Sequence, residues 1–179
     1  SQMEQAGGPD AARRRGAQHL PLYERAEEYP MNRRHFIVGA SGLLVAGPAV
    51  AQTAPLMQVA KTPTCGCCTA WVERMVDAGF SVEVEDVDQE VLWAMKDGLG
   101  ITSDLSGCHT TLIGDYFVEG HVPAREIQRM LAEAPDARGL TVPGMPMGSP
   151  GMGAAGTGDP YEVLLVLNDG STQVFASYA

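Results

Sequence analysis

Thr64-Cys65-Gly66-Cys67-Cys68-Thr69-Ala70-Trp71 places three of the chain's four cysteines within four residues. The fourth, Cys108, follows about forty residues later with His109 beside it. Cys65 and Cys68 form a C-x-x-C pair, the spacing of thiol-disulfide redox sites and of many metal sites. Cys67 is surplus to a plain redox pair, because a third thiol there forms competing disulfides. A soft-metal site has a use for it, since thiolates bind copper(I) and zinc strongly. A helix beginning at this motif favours the thiolate through its unpaired N–H groups and its dipole. Residues i and i+3 share a helix face, so Cys65 and Cys68 can reach one centre. Cys67 is vicinal to Cys68 and points differently. Three such sulfurs do not fit easily as terminal ligands of one tetrahedral ion; they suit a multinuclear site with bridging sulfurs. Two structural disulfides, a catalytic dithiol and a zinc site are the competing readings. Short loops remove little unfolded-state entropy, which counts against the first.

Outward from this motif the chain alternates strand and helix patterns. Met57-Gln58-Val59-Ala60-Lys61 reads as a short strand, broken by Thr62-Pro63-Thr64. Trp71, Val72, Met75 and Val76 form a helix stripe closed by Gly79. Phe80–Glu85 alternates as a strand, and its acidic residues read as a solvated face. Val91, Leu92, Met95 and Leu99 make a second helix face, closed by Gly98 and Gly100. Thr110–Ile113 and Tyr116–Glu119 are strands joined through Gly114-Asp115. Pro123 opens a third helix, with Ile127, Met130 and Leu131 inward, and Pro135 ends it. A loop rich in Pro, Gly and Met is expected from about Leu140 to Pro160. Tyr161–Leu167 and Thr172–Phe175 then form a hairpin across Asn168-Asp169-Gly170.

The fold class is therefore α/β, with the order β-α-β-α-β-β-α followed by a loop and a β-hairpin. The first seven elements match the thioredoxin order, with C-x-x-C after the first strand. A thioredoxin carries a cis-proline segment before its third strand. Here Ser106-Gly107-Cys108-His109-Thr110 stands instead, which brings Cys108 opposite the other three cysteines. His121 falls in a loop on the same rim. His109 is placed less favourably, since strand alternation is expected to turn it from Cys108. Met145, Met147 and Met152 offer thioether ligands suited to copper(I), or else pack the loop as gap fillers. Met57, Met75, Met95 and Met130 lie at core periodicity.

The formal charge is −10 and the sequence pI about 4.7, which argues against nucleic acid and anionic membrane surfaces as partners. Residues 1–51 are nearly neutral, with six Arg against five acids. Residues 52–179 hold six Lys and Arg against seventeen acids. Met31-Asn32-Arg33-Arg34-His35-Phe36, the apolar run to Gly47 and Pro48-Ala49-Val50-Ala51 read as a secretory signal of the twin-arginine type, residues 31–51. Its apolar run is too short to span a bilayer. Cleavage before Gln52 would leave no membrane insertion. Residues 1–30 read as a non-native or disordered extension, with Met31 the expected start. Residues 52–179 are the expected domain.

Lys61-Thr62-Pro63-Thr64-Cys65-Gly66-Cys67-Cys68 with Trp71, Cys108-His109-Thr110, Val118–Ala124, and Gly139–Met152 together resemble the small periplasmic copper-resistance proteins of the CopG type, a metal-binding domain of unknown function. The resemblance covers most of residues 56–176. It implies a thioredoxin-like fold, a periplasmic address and a cysteine-bridged cluster of more than one copper(I), linked to copper detoxification. On it, Cys65, Cys67, Cys68 and Cys108 are the metal ligands, joined by His121, Met145, Met147 and Met152. Metal ions and other envelope copper-handling proteins are the implied partners. Sequestration or transfer of copper(I) leads as the function, with a copper or thiol-disulfide oxidoreductase as the alternative.

Overall fold

In a computed structural model, residues 55–154 and 158–179 are described. The extension, the twin-arginine signal and the cleavage point lie outside them. Ten elements follow in order: β1 Met57–Lys61, α1 Gly66–Asp77, β2 Val82–Asp86, α2 Gln89–Gly98, β3 His109–Ile113, β4 Tyr116–Gly120, α3 Ala124–Glu133, β5 Ala137–Val142, β6 Tyr161–Leu167 and β7 Thr172–Tyr178. All seven strands join one mixed sheet in the order β2-β1-β3-β4-β5-β6-β7. β1 pairs parallel with β2 and antiparallel with β3, and β3 pairs antiparallel with β4. The first seven elements thus keep the order read from the sequence.

Period-2 alternation sorts the strand residues between two faces. Met57, Val59, Ile113, Val118, Leu140, Val142 and Val163 point to one side and pack with Trp71 and Met75 of α1 and Ile127 and Met130 of α3. Ala60 and the half-buried Leu112 face the other side, against Leu92 and Met95 of α2. Ile101, Leu105, Phe117 and Val166 continue that second layer. The sheet is therefore sandwiched between helices. Each large side chain fully buried in it contributes on the order of 1.5–3 kcal/mol. Met57, Met75, Met95 and Met130 are all buried, as their periodicity predicts.

One element departs from expectation. The segment before Pro143 is not the start of a loop: Ala137–Val142 is strand β5, parallel to β4 and antiparallel to β6. The strand irregularity falls between Ala137 and Gly139. The bare Cα lets β5 lie against the Phe117 backbone, where a Cβ would overlap the Phe117 carbonyl. Through β5, the C-terminal hairpin becomes part of the central sheet rather than an appendage. Its turn is set by Asp169, whose carboxylate accepts the Ser171 N–H at 2.9 Å, with Gly170 at φ 85°.

Two glycines give a matched test. Gly139→Ala is expected to lower the unfolding free energy by about 2–3 kcal/mol, because backbone must move to admit the methyl group. Gly98→Ala, where a Cβ meets nothing within 4 Å, should lose nothing and gain up to about 1 kcal/mol. Urea unfolding midpoints of the two variants check the contrast.

Candidate metal centre

The C-x-C-C motif sits at the start of α1. Cys65 is the N-cap, with extended backbone and no side-chain cap bond, and its carbonyl accepts the Thr69 N–H at 3.3 Å. Cys67 and Cys68 occupy the first helical turn, where no acidic residue competes with a thiolate. Cys65 and Cys68 are joined as a disulfide, and Cys67 and Cys108 are free. Cys108 Sγ lies 3.3 Å from Cys68 Sγ and 3.8 Å from Cys67 Sγ, and Cys67 Sγ lies 3.6 Å from Cys65 Sγ. The four sulfurs share a space in which each lies within 4.8 Å of the others. Two-electron reduction of the disulfide would turn this group into four thiols.

Cys108 arrives from the opposite side, in the loop leading into β3. That loop is held tightly. A Cβ on Gly107 would stand 2.6 Å from the Gly120 Cα, so two backbones meet there as closely as glycine permits. Gly120, at φ 68°, ends β4 and releases the chain into His121. The result is direct contact between Cys108 Sγ and His121 Nε2 at 2.9 Å. His121 Nδ1 lies 2.7 Å from the Pro150 carbonyl oxygen. A carbonyl only accepts, so Nδ1 carries the proton and Nε2 presents its lone pair to the sulfur. Metal-binding histidines are oriented in this way by a partner on the far nitrogen.

His109 belongs to the same cluster, contrary to the sequence expectation. Its Nδ1 is 3.5 Å from Cys108 Sγ, and Cys108, His109 and His121 form a second group with ligand atoms within 4.8 Å of one another. Strand alternation fails to separate His109 from Cys108 because His109 is the first residue of β3. Cys108 precedes the pleat and its direction is set by the loop. His109 is fully buried, 4.4 Å from the Trp71 ring and edge-on to His121 at 5.3 Å. Trp71 is itself fixed by its indole N–H, which donates to the Val122 carbonyl at 2.9 Å. His109 Nε2 has no hydrogen-bond partner among the described residues. Its full burial was the signal that sequence lacked.

Burial dominates the electrostatics. It pushes the Cys108 thiol up to about 12, aided by the neighbouring Cys67. It holds His109 well below the usual histidine range, with His121, Lys96 and Lys61 adding to the effect. His121 is lowered by burial as well, partly opposed by its bond to the Pro150 carbonyl. The cluster therefore rests with neutral imidazoles and a protonated Cys108, a donor set that a soft cation could occupy by displacing a proton.

The methionine loop passes beside this cluster. Gly144 N–H donates to the Ser106 carbonyl at 2.9 Å, and Pro150 holds His121. Gly151, at φ 89°, lies so close to α1 that a Cβ would meet the Cys67 carbonyl at 2.7 Å. Met145 and Met147 are about half exposed, and Met152 is half-buried. The first two are not gap fillers.

A seven-stranded mixed α/β sheet with a thiol and imidazole cluster at its rim defines a class of candidate metal-binding domain. Comparison with solved structures narrows the class. Two structures of a copper resistance protein CopG, forms 1 and 2, match with TM-scores of 0.64 and 38% identity. The alignments cover 70% of this chain and 98% and 99% of theirs. The chain belongs to the CopG family of copper resistance proteins. Residues 105–152 also match the family described as Protein of unknown function, DUF411. No curated protein matches the sequence significantly. Among the described residues no helix is long and apolar enough to cross a membrane.

With the disulfide intact, Cys108 is expected to alkylate on the order of 100-fold or more slowly than an exposed thiol at pH 8. A raised pKa leaves little thiolate there, so the rate should climb steadily towards pH 12. Mass spectrometry of iodoacetamide adducts on metal-free protein, resolved by peptide, measures it.

Proposed function

We propose that the protein binds more than one copper(I) ion as its cargo, in the service of copper resistance. The observation that carries this reading is the pair of overlapping donor groups: four cysteine sulfurs on one side, Cys108, His109 and His121 on the other, with Cys108 common to both. A sulfur shared between two ligand groups suits a bridging thiolate. Soft thiolates favour copper(I), and neutral imidazole suits copper as well as zinc. The copper-resistance relatives point to copper between the two. In this reading Cys65, Cys67, Cys68 and Cys108 would hold the ions, with His109 and His121 closing the buried end. Copper would enter once an external dithiol has reduced the Cys65–Cys68 bond by thiol-disulfide exchange, leaving two thiols here and a disulfide on the donor. The signal-like segment at residues 31–51 supports export to the periplasm, where envelope copper carriers would be the exchange partners.

Anaerobic titration of the reduced protein with copper(I) tests the reading. A stoichiometry above one ion is expected, falling when Cys67 becomes Ser. A ceiling of one ion, indifferent to Cys67→Ser, would sink the cluster.

The exposure of Met145 and Met147 at the loop tip supports a role in capture and transfer for the methionine loop, with Met152 nearer the body. Replacing Met145, Met147 and Met152 with Leu keeps apolar bulk and removes the thioethers. Copper exchange with a small chelator should slow, while apo stability changes by less than about 1.5 kcal/mol. Stopped-flow exchange and thermal melts of the same variant separate the two effects.

A further inference from the structure

On the face of the sheet opposite the cysteines lies a buried ion pair that the metal reading leaves unused. Lys96 of α2 and Glu119 of β4 are both almost completely buried, 4% and 0% exposed. The Lys96 ammonium meets Glu119 Oε1 and also donates to Thr110 Oγ1 at 2.9 Å. Thr110 in turn donates to Glu119 Oε2 at 2.6 Å. The remaining donor is backbone: the Gly107 N–H reaches Glu119 Oε1 at 2.6 Å. Both carboxylate oxygens are thus satisfied, one by the ammonium and a main-chain amide, the other by a hydroxyl.

The placement of this network is specific. Gly107 precedes Cys108, Thr110 follows His109, and Glu119 stands two residues before His121. One carboxylate therefore grips both strands that deliver the cluster's far end. Ser106 and Leu105 have separate anchors, through Gly144 N–H and the Thr141 hydroxyl. The amide next to Cys108 is held by Glu119. A buried ion pair is a weak device for stability, since a hydrophobic pair of similar volume often does as well. It is an effective device for geometry, because each partner must stay where its charge is compensated.

We propose that Glu119, neutralised by Lys96, is a positioning residue that sets Cys108 against His121 from the opposite face of the sheet. The role rests on the metal reading for its purpose, but not for its geometry. Glu119→Gln keeps size and removes the charge that grips Gly107. Lys96→Met combined with Glu119→Gln does so without leaving a buried ammonium, and serves if the single variant folds poorly.

Two measurements test the role. In reduced, metal-free protein, Glu119→Gln should speed iodoacetamide labelling of Cys108 several-fold, and Glu119→Asp, which keeps the charge that raises the Cys108 thiol but draws it back from Gly107, should speed it too. Cys65, Cys67 and Cys68 should keep their rates. An unchanged Cys108 rate overturns the proposal, and so does a parallel rise at all four cysteines, which marks general loosening. The second measurement is a double-mutant cycle on copper(I) affinity against a chromophoric chelator. Cys108→Ser should cost about 10–100-fold in the native background. In the Glu119→Gln background it should cost less than about 3-fold, because Cys108 is already misplaced. Losses that simply multiply overturn the proposal. If Cys108→Ser costs nothing in the native background while the labelling result holds, the metal reading fails and the positioning role stands.

Discussion

The close approach of Gly107 and Gly120 is the contact on which the site depends. One backbone leads into β3 with Cys108, the other leaves β4 with His121, and no side chain separates them. Any larger residue would push the two strands' ends apart and open the 2.9 Å contact between sulfur and imidazole. The same crossing also meets the methionine loop, since Ser106 binds Gly144 and His121 binds Pro150. Three stretches far apart in sequence are thereby locked to one point. The helix with the C-x-C-C motif then needs only to lay its first turn across that point.

The electrostatic design follows from the burial this crossing creates. A buried imidazole resists protonation and a buried thiol resists ionisation, so His109, His121 and Cys108 are held towards their neutral forms. Neutral imidazoles keep their lone pairs available. A thiol that yields its proton only with difficulty favours a cation that binds sulfur strongly enough to displace it. The near end differs, because Cys65 and Cys67 lie at a helix N-terminus and reach the surface. Cys108 is half-buried like Cys65 and Cys67, so the sealed part of the cluster is the two imidazoles and Cys68.

Much of this was legible in the sequence because the relevant signals are local. Val59, Trp71, Met75, Leu92 and Met130 betray their elements by periodicity, and Gly79 and Gly100 mark the helix ends. The cysteine convergence follows from element order, since the start of the first helix and the start of the third strand share one edge of such a sheet. What sequence hid depends on long-range packing. Leu140, Thr141 and Val142 lead into a stretch rich in Pro, Gly and Met and read as loop, because only pairing with β4 and β6 reveals them as the end of β5. His109 looks misdirected until Cys108 is seen to precede the pleat. Lys96 and Glu119 look like ordinary charges on an acidic chain, because nothing local reveals that they meet across the sheet.

The disulfide and the metal reading are two states of one arrangement. Cys65 and Cys68 can pair because helix geometry brings i and i+3 to one face, and that same geometry would let their two thiols face one cation once reduced. Cys108 lies beside Cys68 with the disulfide formed, carried there by the loop at the Gly107–Gly120 crossing and not by the helix. Oxidation therefore removes two donors without dismantling the rest of the site. The imidazoles, Cys67 and Cys108 are assembled with the disulfide formed, so its two-electron, two-proton reduction would complete the donor set. Pre-assembly of this kind lowers the ordering cost of metal capture. Much of the support lies outside the cysteines, in the Gly107–Gly120 crossing and the Pro150 carbonyl, and so does not depend on how the sulfurs are bonded.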